Sequence, residues 1–274
     1  MTQMSPQDRT GSSHDPYAPA EIAHLVENIG VRKAALPLLP LVVLGILAGA
    51  FIAFGAMFFT LSITDSALGF GPTRLIGGLV FSLGLILVVI AGAELFTGNN
   101  LIVMAWADRK VTSGQLLRNW TVVYGANFVG AAATAVMMVW SGSLALGNGA
   151  VEETARAIAT GKVAMPWFEA FIRAVLCNAL VCLAVWLSMS AHRVTGKILA
   201  IIFPITAFVA LGFEHSVANM YFLPLGWLLG ADGVTVTAII ANLVPVTLGN
   251  IIGGSLFVAL VYWLVYLRHS DQAD

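Results

Sequence analysis

Two short polar segments interrupt long apolar stretches of the chain, and each carries a glutamate. Residues 91–100 read AGAELFTGNN and contain Glu94 and Thr97, while residues 211–219 read LGFEHSVAN and contain Glu214 and His215. An imidazole exchanges a proton near neutral pH, and a threonine hydroxyl can hydrogen-bond a passing solute. Neither a paired nucleophile nor a metal-binding motif accompanies these residues, so we expect no enzyme, metal or cofactor.

The composition places most of the chain in a lipid bilayer. Of the 274 residues, 59% are apolar and only 10% are charged, with a mean hydropathy of +0.90. Soluble domains are roughly 45–50% apolar and about 25% charged. These values exclude an ordinary soluble enzyme, and the net charge of -1 gives no reason to expect nucleic-acid binding.

Six apolar segments are long enough to cross a bilayer, which requires about 20 residues each. The second and fifth are longer than one straight crossing, and the two polar segments lie inside them. Because non-helical backbone at membrane depth is tolerated only within protein or beside water, paired interruptions indicate a solute path. The predicted spans are residues 36–61, 74–107, 117–140, 167–190, 197–229 and 236–267.

The third and sixth spans share a pattern, N-x7-N-x2-G, that begins at Asn119 and again at Asn242. Three spans separate the two copies, so the two halves have opposite topology, as in many transport proteins. We expect Asn127 and Asn250, within this pattern, to bond across helices or cap a broken helix, with pore lining as the alternative. The sequence therefore predicts an all-α membrane protein of two inverted three-helix repeats.

Charge distribution gives the expected orientation. Nine of the thirteen basic residues fall on the side of the two termini and four on the other side, so both termini are predicted to be cytoplasmic. Residues 1–35 form a cytoplasmic segment, 36–267 the transmembrane domain and 268–274 a short tail. Pro19 opens an amphipathic helix that we expect to end at Gly30, either packed on the bundle or serving as a gate or partner site.

Each polar residue at membrane depth has either a structural role or a role in the solute path. For Glu94 and Glu214 we expect a structural role, in which the carboxylates accept hydrogen bonds from backbone N–H groups of the broken helices. His215 is either a neutral structural histidine or a proton-exchanging residue, and we favour the second because it follows Glu214 inside a helix break. Thr97 is either a solute contact or a helix N-cap.

Four stretches resemble the formate/nitrite transporter family: Gly77–Asn100, Leu180–Trp186, Gly212–Pro224 and Asn242–Gly254. The resemblance extends from Pro16 to Arg268. It implies an aquaporin-like protomer with six transmembrane helices, of which the second and fifth are broken. It also implies a homopentamer in the inner membrane, with one pore per protomer for small monovalent anions.

The resemblance assigns roles to single residues. His215 matches a central pore histidine, Thr97 the threonine that faces it, Asn178 a polar pore-linked position and Lys162 a basic vestibule position, with Glu214 beside the histidine. Phe81, Leu85, Leu95 and Phe208 match two apolar constrictions, and the position of Phe96 beside the first break makes it a further candidate. We expect Gly98, Gly212 and Asn219 to shape the breaks.

Several functions remain open at this stage. The stretch NLVPVTLGN resembles formate channels, whereas ELFTG resembles nitrite channels. Between these two indications we favour proton-coupled formate passage, with nitrite or hydrosulfide as alternatives. An aquaporin-type channel for neutral solutes would explain the repeats, but the paired Asn-Pro-Ala boxes are missing. An intramembrane enzyme and a structural membrane protein are weaker alternatives. By resemblance, a cytosolic enzyme partner at the N-terminal helix is also expected.

Overall fold

The computed structural model describes residues 16–268, and all regular elements in that range are helical. Short 3-10 and π-helical segments join or extend several of the α-helices. The α-helices are α1 (Pro19–Ala34), α2 (Leu38–Ile63), α3 (Phe70–Ile86), α4 (Val103–Ala107), α5 (Ser113–Trp140), α6 (Ala150–Val163), α7 (Trp167–Ser190), α8 (Val194–Ala210), α9 (Ser216–Leu228), α10 (Val236–Gly254) and α11 (Val261–Tyr266).

Five continuous helical segments of the described chain are long and apolar enough to cross a membrane. They are Leu38–Ile63, Phe70–Gly92, Ser113–Trp140, Trp167–Ser190 and Val236–Tyr266, and Val194–Ala210 is a shorter apolar helix. Large apolar side chains such as Phe70 (85% exposed) and Phe203 (77% exposed) point outward from these helices. Water would disfavour such a surface, whereas lipid tails cover it, so the chain is a multi-pass membrane protein.

Both predicted interruptions are present. After α3, a π-helical segment (Leu87–Gly92) leads into extended backbone, and a 3-10 segment (Gly98–Ile102) then connects to α4. In the second half, α8 ends at Ala210 and α9 begins only at Ser216. Gly92 and Gly212 have φ values of +85° and +72°, a left-handed conformation that favours glycine, and they let the chain turn out of each helix.

Small residues allow the long helices to pack closely in two pairs. On α5, a Cβ added to Gly130 would collide with the carbonyl oxygen of Ile46 on α2. On α10, a Cβ added to Gly253 would collide with the carbonyl oxygen of Val175 on α7. The α2–α5 and α7–α10 contacts therefore bring backbone against backbone, the mode of association that dominates where no water drives helices together.

Two elements differ from the prediction. The first helix does not end at Gly30 but continues to Ala34, because Gly30 packs closely against Ile102 and Ala105 instead of turning the chain. The connection at residues 141–166 contains α6, whose Val151, Ala155 and Ala159 repeat every four residues and are buried. Residues 1–15 and 269–274 of the predicted terminal segments lie outside the described range.

Candidate functional site

A small apolar chamber lies between the two helix breaks. Its volume is about 10 Å³, close to the minimum that holds one water molecule. Seven apolar side chains and His215 line it, and four of them are predicted constriction residues. The lining consists of Ile52, Phe81, Leu85, Leu95, Val181, Ile205, Phe208 and His215.

Phe96, the fifth predicted constriction residue, lies elsewhere. Its ring contacts Tyr124 and Trp120 on α5, with ring centroids 4.9 and 6.2 Å away, and it lines neither the chamber nor the two larger cavities described below. Successive side chains of the extended break point in different directions, so Leu95 faces the chamber while Phe96 faces α5.

Thr97 and His215 meet across the centre of the protein. Thr97 Oγ1 lies 2.9 Å from His215 Nε2, and both residues are buried. His215 Nδ1 accepts a hydrogen bond from the backbone N–H of Ala218 at 3.1 Å, which caps the N-terminus of α9. Because an accepting Nδ1 carries no proton, we infer that the neutral ring is protonated at Nε2 and donates to Thr97 Oγ1.

Two larger cavities open on either side of the chamber. The α1 cavity, named for the helix that covers it, has a volume of about 330 Å³ and includes Lys33, Glu94 and Gly98 in its lining. The α6 cavity has a volume of about 260 Å³ and includes Lys162, Glu214 and His215. Leu85 and Leu95 separate the α1 cavity from the chamber, and Phe81 and Phe208 separate the α6 cavity from it.

Glu94 belongs to a closed polar network at the floor of the α1 cavity. Its Oε1 accepts from Lys33 Nζ at 2.8 Å and its Oε2 accepts from Asn99 Nδ2 at 2.7 Å. Asn99 Nδ2 also lies 2.9 Å from Asn119 Oδ1, and Asn119 Nδ2 donates to the carbonyl oxygen of Lys33 at 3.1 Å. The network therefore ties α1 and α5 to the first break.

Glu214 repeats this network beside the α6 cavity. It accepts from Lys162 Nζ at 2.8 Å and from Asn219 Nδ2 at 2.6 Å. Asn219 continues to Asn242 Oδ1 at 2.8 Å, and Asn242 Nδ2 donates to the carbonyl oxygen of Lys162 at 2.9 Å. The prediction that the two carboxylates bind backbone N–H groups is wrong, because lysine and asparagine side chains take those positions in both halves.

The backbone of each break is held by an asparagine instead. Asn127 accepts from the N–H of Phe96 at 2.9 Å and donates to the carbonyl oxygens of Gly45 (2.7 Å) and Glu94 (2.9 Å). Asn250 has the same arrangement with Ser216, Ala174 and Glu214, at 2.8, 2.9 and 3.0 Å. Both residues are fully buried. Their side chains pair with backbone groups that the breaks would otherwise leave without a partner, in agreement with the predicted bonding across helices.

Asn178 holds backbone together and lines none of the three cavities. Its amide donates to the carbonyl oxygens of Asn250 (2.6 Å) and Thr97 (3.2 Å), and to Asn100 Oδ1 at 2.8 Å. Asn178 therefore connects the residues on either side of the chamber and fixes the height of Thr97 opposite His215.

Sequence reasoning did not single out Lys33, Arg74 or Arg173, which it used only in the count of basic residues. Lys33 lies 129 positions before Lys162, close to the separation of 120 between the two glutamates. A comparison of the two halves that allowed the offset to vary from 120 to 129 would have paired the two lysines. The two arginines have no basic counterpart at an offset of 129, because Leu44 stands that far before Arg173 and Phe203 that far after Arg74.

The comparisons with known proteins agree on one family. A family model described as Formate/nitrite transporter matches residues 20–264. The formate channel FocA of Escherichia coli is 40% identical over 277 residues, covering 94% of this chain and 97% of that protein. The probable formate transporter of Methanothermobacter thermautotrophicus is 44% identical over 269 residues, covering 92% and 97%. A solved pentameric formate channel with formate bound gives a TM-score of 0.78 at 39% identity, covering 84% and 98%.

Proposed function

The chain belongs to the formate/nitrite transporter family, and we propose that it conducts formate across the membrane as a homopentamer, with one path in each protomer. The relatives named as formate channels and the pentameric structure with bound formate support this proposal. The observation that carries it is the order of three cavities along the path: the α1 cavity with one lysine–glutamate pair, an apolar chamber with one titratable side chain, and the α6 cavity, whose cationic side chains outnumber its carboxylate.

The apolar chamber disfavours a bare anion. Stripping the hydration shell from a carboxylate between apolar side chains costs on the order of tens of kcal/mol by Born solvation, whereas the neutral acid avoids most of this cost. The net positive charge of the α6 cavity, to which Lys162 contributes, attracts formate, and formate crosses the chamber with a proton.

His215 supplies the proton-exchanging group in this proposal. His215 lines the chamber, its Nε2 lies 2.9 Å from Thr97 Oγ1, and its Nδ1 caps α9. A second proton on the ring has to enter at Nδ1, and it displaces the N–H of Ala218, at the cost of a cap worth about 0.5–2 kcal/mol. Protonation and cap release are thus linked, and the imidazolium forms only while an anion in the chamber compensates its charge.

The same proposal includes the architecture that the sequence predicts: six crossings in two inverted repeats, aquaporin-like, with both termini in the cytoplasm. Equivalent hydrogen bonds around Glu94 and Glu214 support the repeat. The fifth crossing is then built from α8 and α9 together, and the second from α3 and α4. A soluble partner at α1 stays a prediction.

Nitrite is the second candidate. Formate and nitrite are both small monovalent anions of weak acids, and His215 is the single polar side chain in the chamber lining. The contacts available to the two anions are therefore alike, and we expect a preference rather than strict selectivity.

The test is anion flux into proteoliposomes that contain the purified protein, with formate and nitrite compared at neutral and acidic external pH. We expect faster formate flux, accompanied by protons and stimulated by external acid. Faster nitrite flux at both pH values would replace formate by nitrite as the principal substrate. Passage of water or glycerol without either anion would overturn the proposal and favour a neutral-solute channel.

A further inference from the structure

The two large cavities differ in charge. Arg74, Lys162 and Arg173 line the α6 cavity together with one carboxylate, Glu214, whereas Lys33 and Glu94 are the charged residues of the α1 cavity. In the α6 cavity, Lys162 is already paired with Glu214 and lies over the ring of Phe222, 5.5 Å from its centroid. The excess positive charge therefore resides on the two arginines.

The two guanidinium groups both lie beside Gly212, in the second helix break. Arg74 donates from Nε to the carbonyl oxygen of Ala210 at 3.0 Å and from Nη2 to that of Val209 at 2.6 Å. Arg173 donates from Nη1 to the carbonyl oxygen of Gly212 at 3.1 Å. A Cβ added to Gly212 would lie 3.2 Å from Arg74 Nη2 and 3.4 Å from Arg173 Nη1, so both groups border the same short stretch of backbone.

These contacts fix the arginines and leave donors unused. A guanidinium has five N–H donors. Arg74 uses two of them on carbonyl oxygens, and within residues 16–268 no carboxylate forms an ion pair with it. Arg173 uses one donor on the carbonyl oxygen of Gly212 and pairs with Glu169, which is exposed. Donors that are held in place beforehand bind a carboxylate with little loss of side-chain entropy.

The fold itself does not require an arginine at position 173. Glu214 N donates to the carbonyl oxygen of Arg173, and in the other half Glu94 N donates to the carbonyl oxygen of Leu44. Leu44 and Arg173 thus have the same backbone role, and each lines the cavity of its own half. The positive charge at position 173 therefore has no counterpart at the equivalent position of the α1 cavity.

We propose that Arg74 and Arg173 form an anion-binding site in the wall of the α6 cavity for a small monovalent carboxylate or oxyanion. The anion binds there before it reaches Lys162 and His215. This inference rests on the proposed function, because the bound anion is the one that crosses. It adds that the two faces of the protein saturate at different anion concentrations, with the α6 face saturating first.

The experiment measures formate uptake into right-side-out and inside-out membrane vesicles, with equal pH on both sides. The α6 face is identified by labelling Glu153→Cys with a membrane-impermeant maleimide, since Glu153 is exposed and both native cysteines are buried. When formate is far below saturation, a passive path transports it equally fast from either face. The two faces are therefore compared by the formate concentration at which uptake from each face reaches half of its maximum.

In the unmodified protein we expect a lower half-saturating formate concentration at the α6 face. Arg173→Leu, which places the residue of position 44 in the other half, raises that value on the order of 5-fold, as expected for one partly screened charge-assisted contact. The value at the α1 face stays unchanged. The difference between the faces also shrinks at high ionic strength in the unmodified protein.

Glu169→Gln separates anion binding from a merely structural role. It removes the carboxylate that competes for Arg173, so an anion site predicts a lower half-saturating concentration at the α6 face, whereas a structural ion pair predicts no such gain. Equal half-saturation at the two faces, or the same value in Arg173→Leu as in the unmodified protein, would overturn the inference. Absence of formate flux in the unmodified protein would instead contradict the proposed function.

Discussion

Leu95 and His215 occupy the same position in the two helix breaks, each directly after a glutamate, and both line the central chamber. Glu94 and Glu214 bind a lysine and an asparagine in the same way, so the surroundings of the two positions match. One half thus presents a leucine to the chamber and the other half an imidazole. In the proposed path, the proton-exchanging group therefore belongs to one half only, although both halves hold the position in the same way.

The first prediction concerns His215. His215→Asn keeps a side chain that caps a helix N-terminus well but cannot exchange a proton in this pH range. We expect acid-stimulated formate uptake to fall on the order of 100-fold, the lower end of the range that positioned proton transfer contributes to rates. Proteoliposome flux at two external pH values measures it.

Thr97→Ser is the control for this variant, because it keeps a hydroxyl group at hydrogen-bond distance from Nε2. It should retain acid stimulation, while Thr97→Val should lose part of it. Undiminished acid stimulation in His215→Asn would show that the proton reaches the anion without this residue.

The second prediction concerns the pair formed by Lys33 and Glu94. Lys33→Met leaves the nearly buried carboxylate of Glu94 without its cation, and we expect a loss of about 3 kcal/mol in the free energy of unfolding. Adding Glu94→Gln removes the charge as well and should restore part of the loss. Thermal unfolding of the detergent-solubilised protein compares the two variants. If the double variant lost as much stability as Lys33→Met, or more, the two side chains would not be coupled in this way.

The third prediction tests the close packing of α2 against α5. In Gly130→Ala the new methyl group meets the carbonyl oxygen of Ile46, so the helices must separate, at a cost of about 1–3 kcal/mol. Gly125→Ala is the matched control on the same helix, since its added Cβ has no heavy atom within 4 Å. That control should be neutral or slightly stabilising, because alanine favours a helix by roughly 0.5–1 kcal/mol over glycine. Similar unfolding temperatures for both variants would contradict the packing argument.

The fourth prediction concerns the pH dependence of α1 docking. Burial raises the pKa of the Glu27 carboxyl above its usual value of 4.5, against the opposing effect of Lys110, whose Nζ lies 2.7 Å from Glu27 Oε2. The docked helix therefore binds more protons than the undocked one, and docking weakens as the pH rises from 4.5 through the raised pKa. Hydrogen exchange of the α1 amides, corrected for intrinsic rates, should show protection that declines over this range.

Asp108, the other carboxylate near Lys110, acts in the opposite direction. Burial works to raise the pKa of Asp108, but hydrogen bonds from Lys110 and other neighbours hold it below its usual 3.8, so its stabilising effect is lost only at lower pH. The decline above pH 4.5 is thus specific to Glu27, and Glu27→Gln should abolish it. A decline that persists in this variant would have another origin.

The sequence by itself determined where the long apolar helices lie and where two of them are broken. Runs of apolar residues predicted the membrane spans, because a bilayer sets the length of an apolar helix. Polar and glycine residues inside two overlong spans located both breaks, because such residues are expensive at membrane depth unless they have a function. The resemblance to the formate/nitrite transporter family also implied that Thr97 faces His215, and the structure places the two side chains 2.9 Å apart.

Only the tertiary structure decided the contacts between distant segments. The partners of Glu94 and Glu214, the backbone role of Asn178, the turning of Phe96 toward α5 and the position of Arg74 beside Arg173 all join residues from different helices. Periodicity along one helix reports which side is apolar, but not which helix covers it or at what height. Those choices follow from backbone packing at the small residues of α2, α5, α7 and α10, where a fraction of an ångström decides which side chains meet.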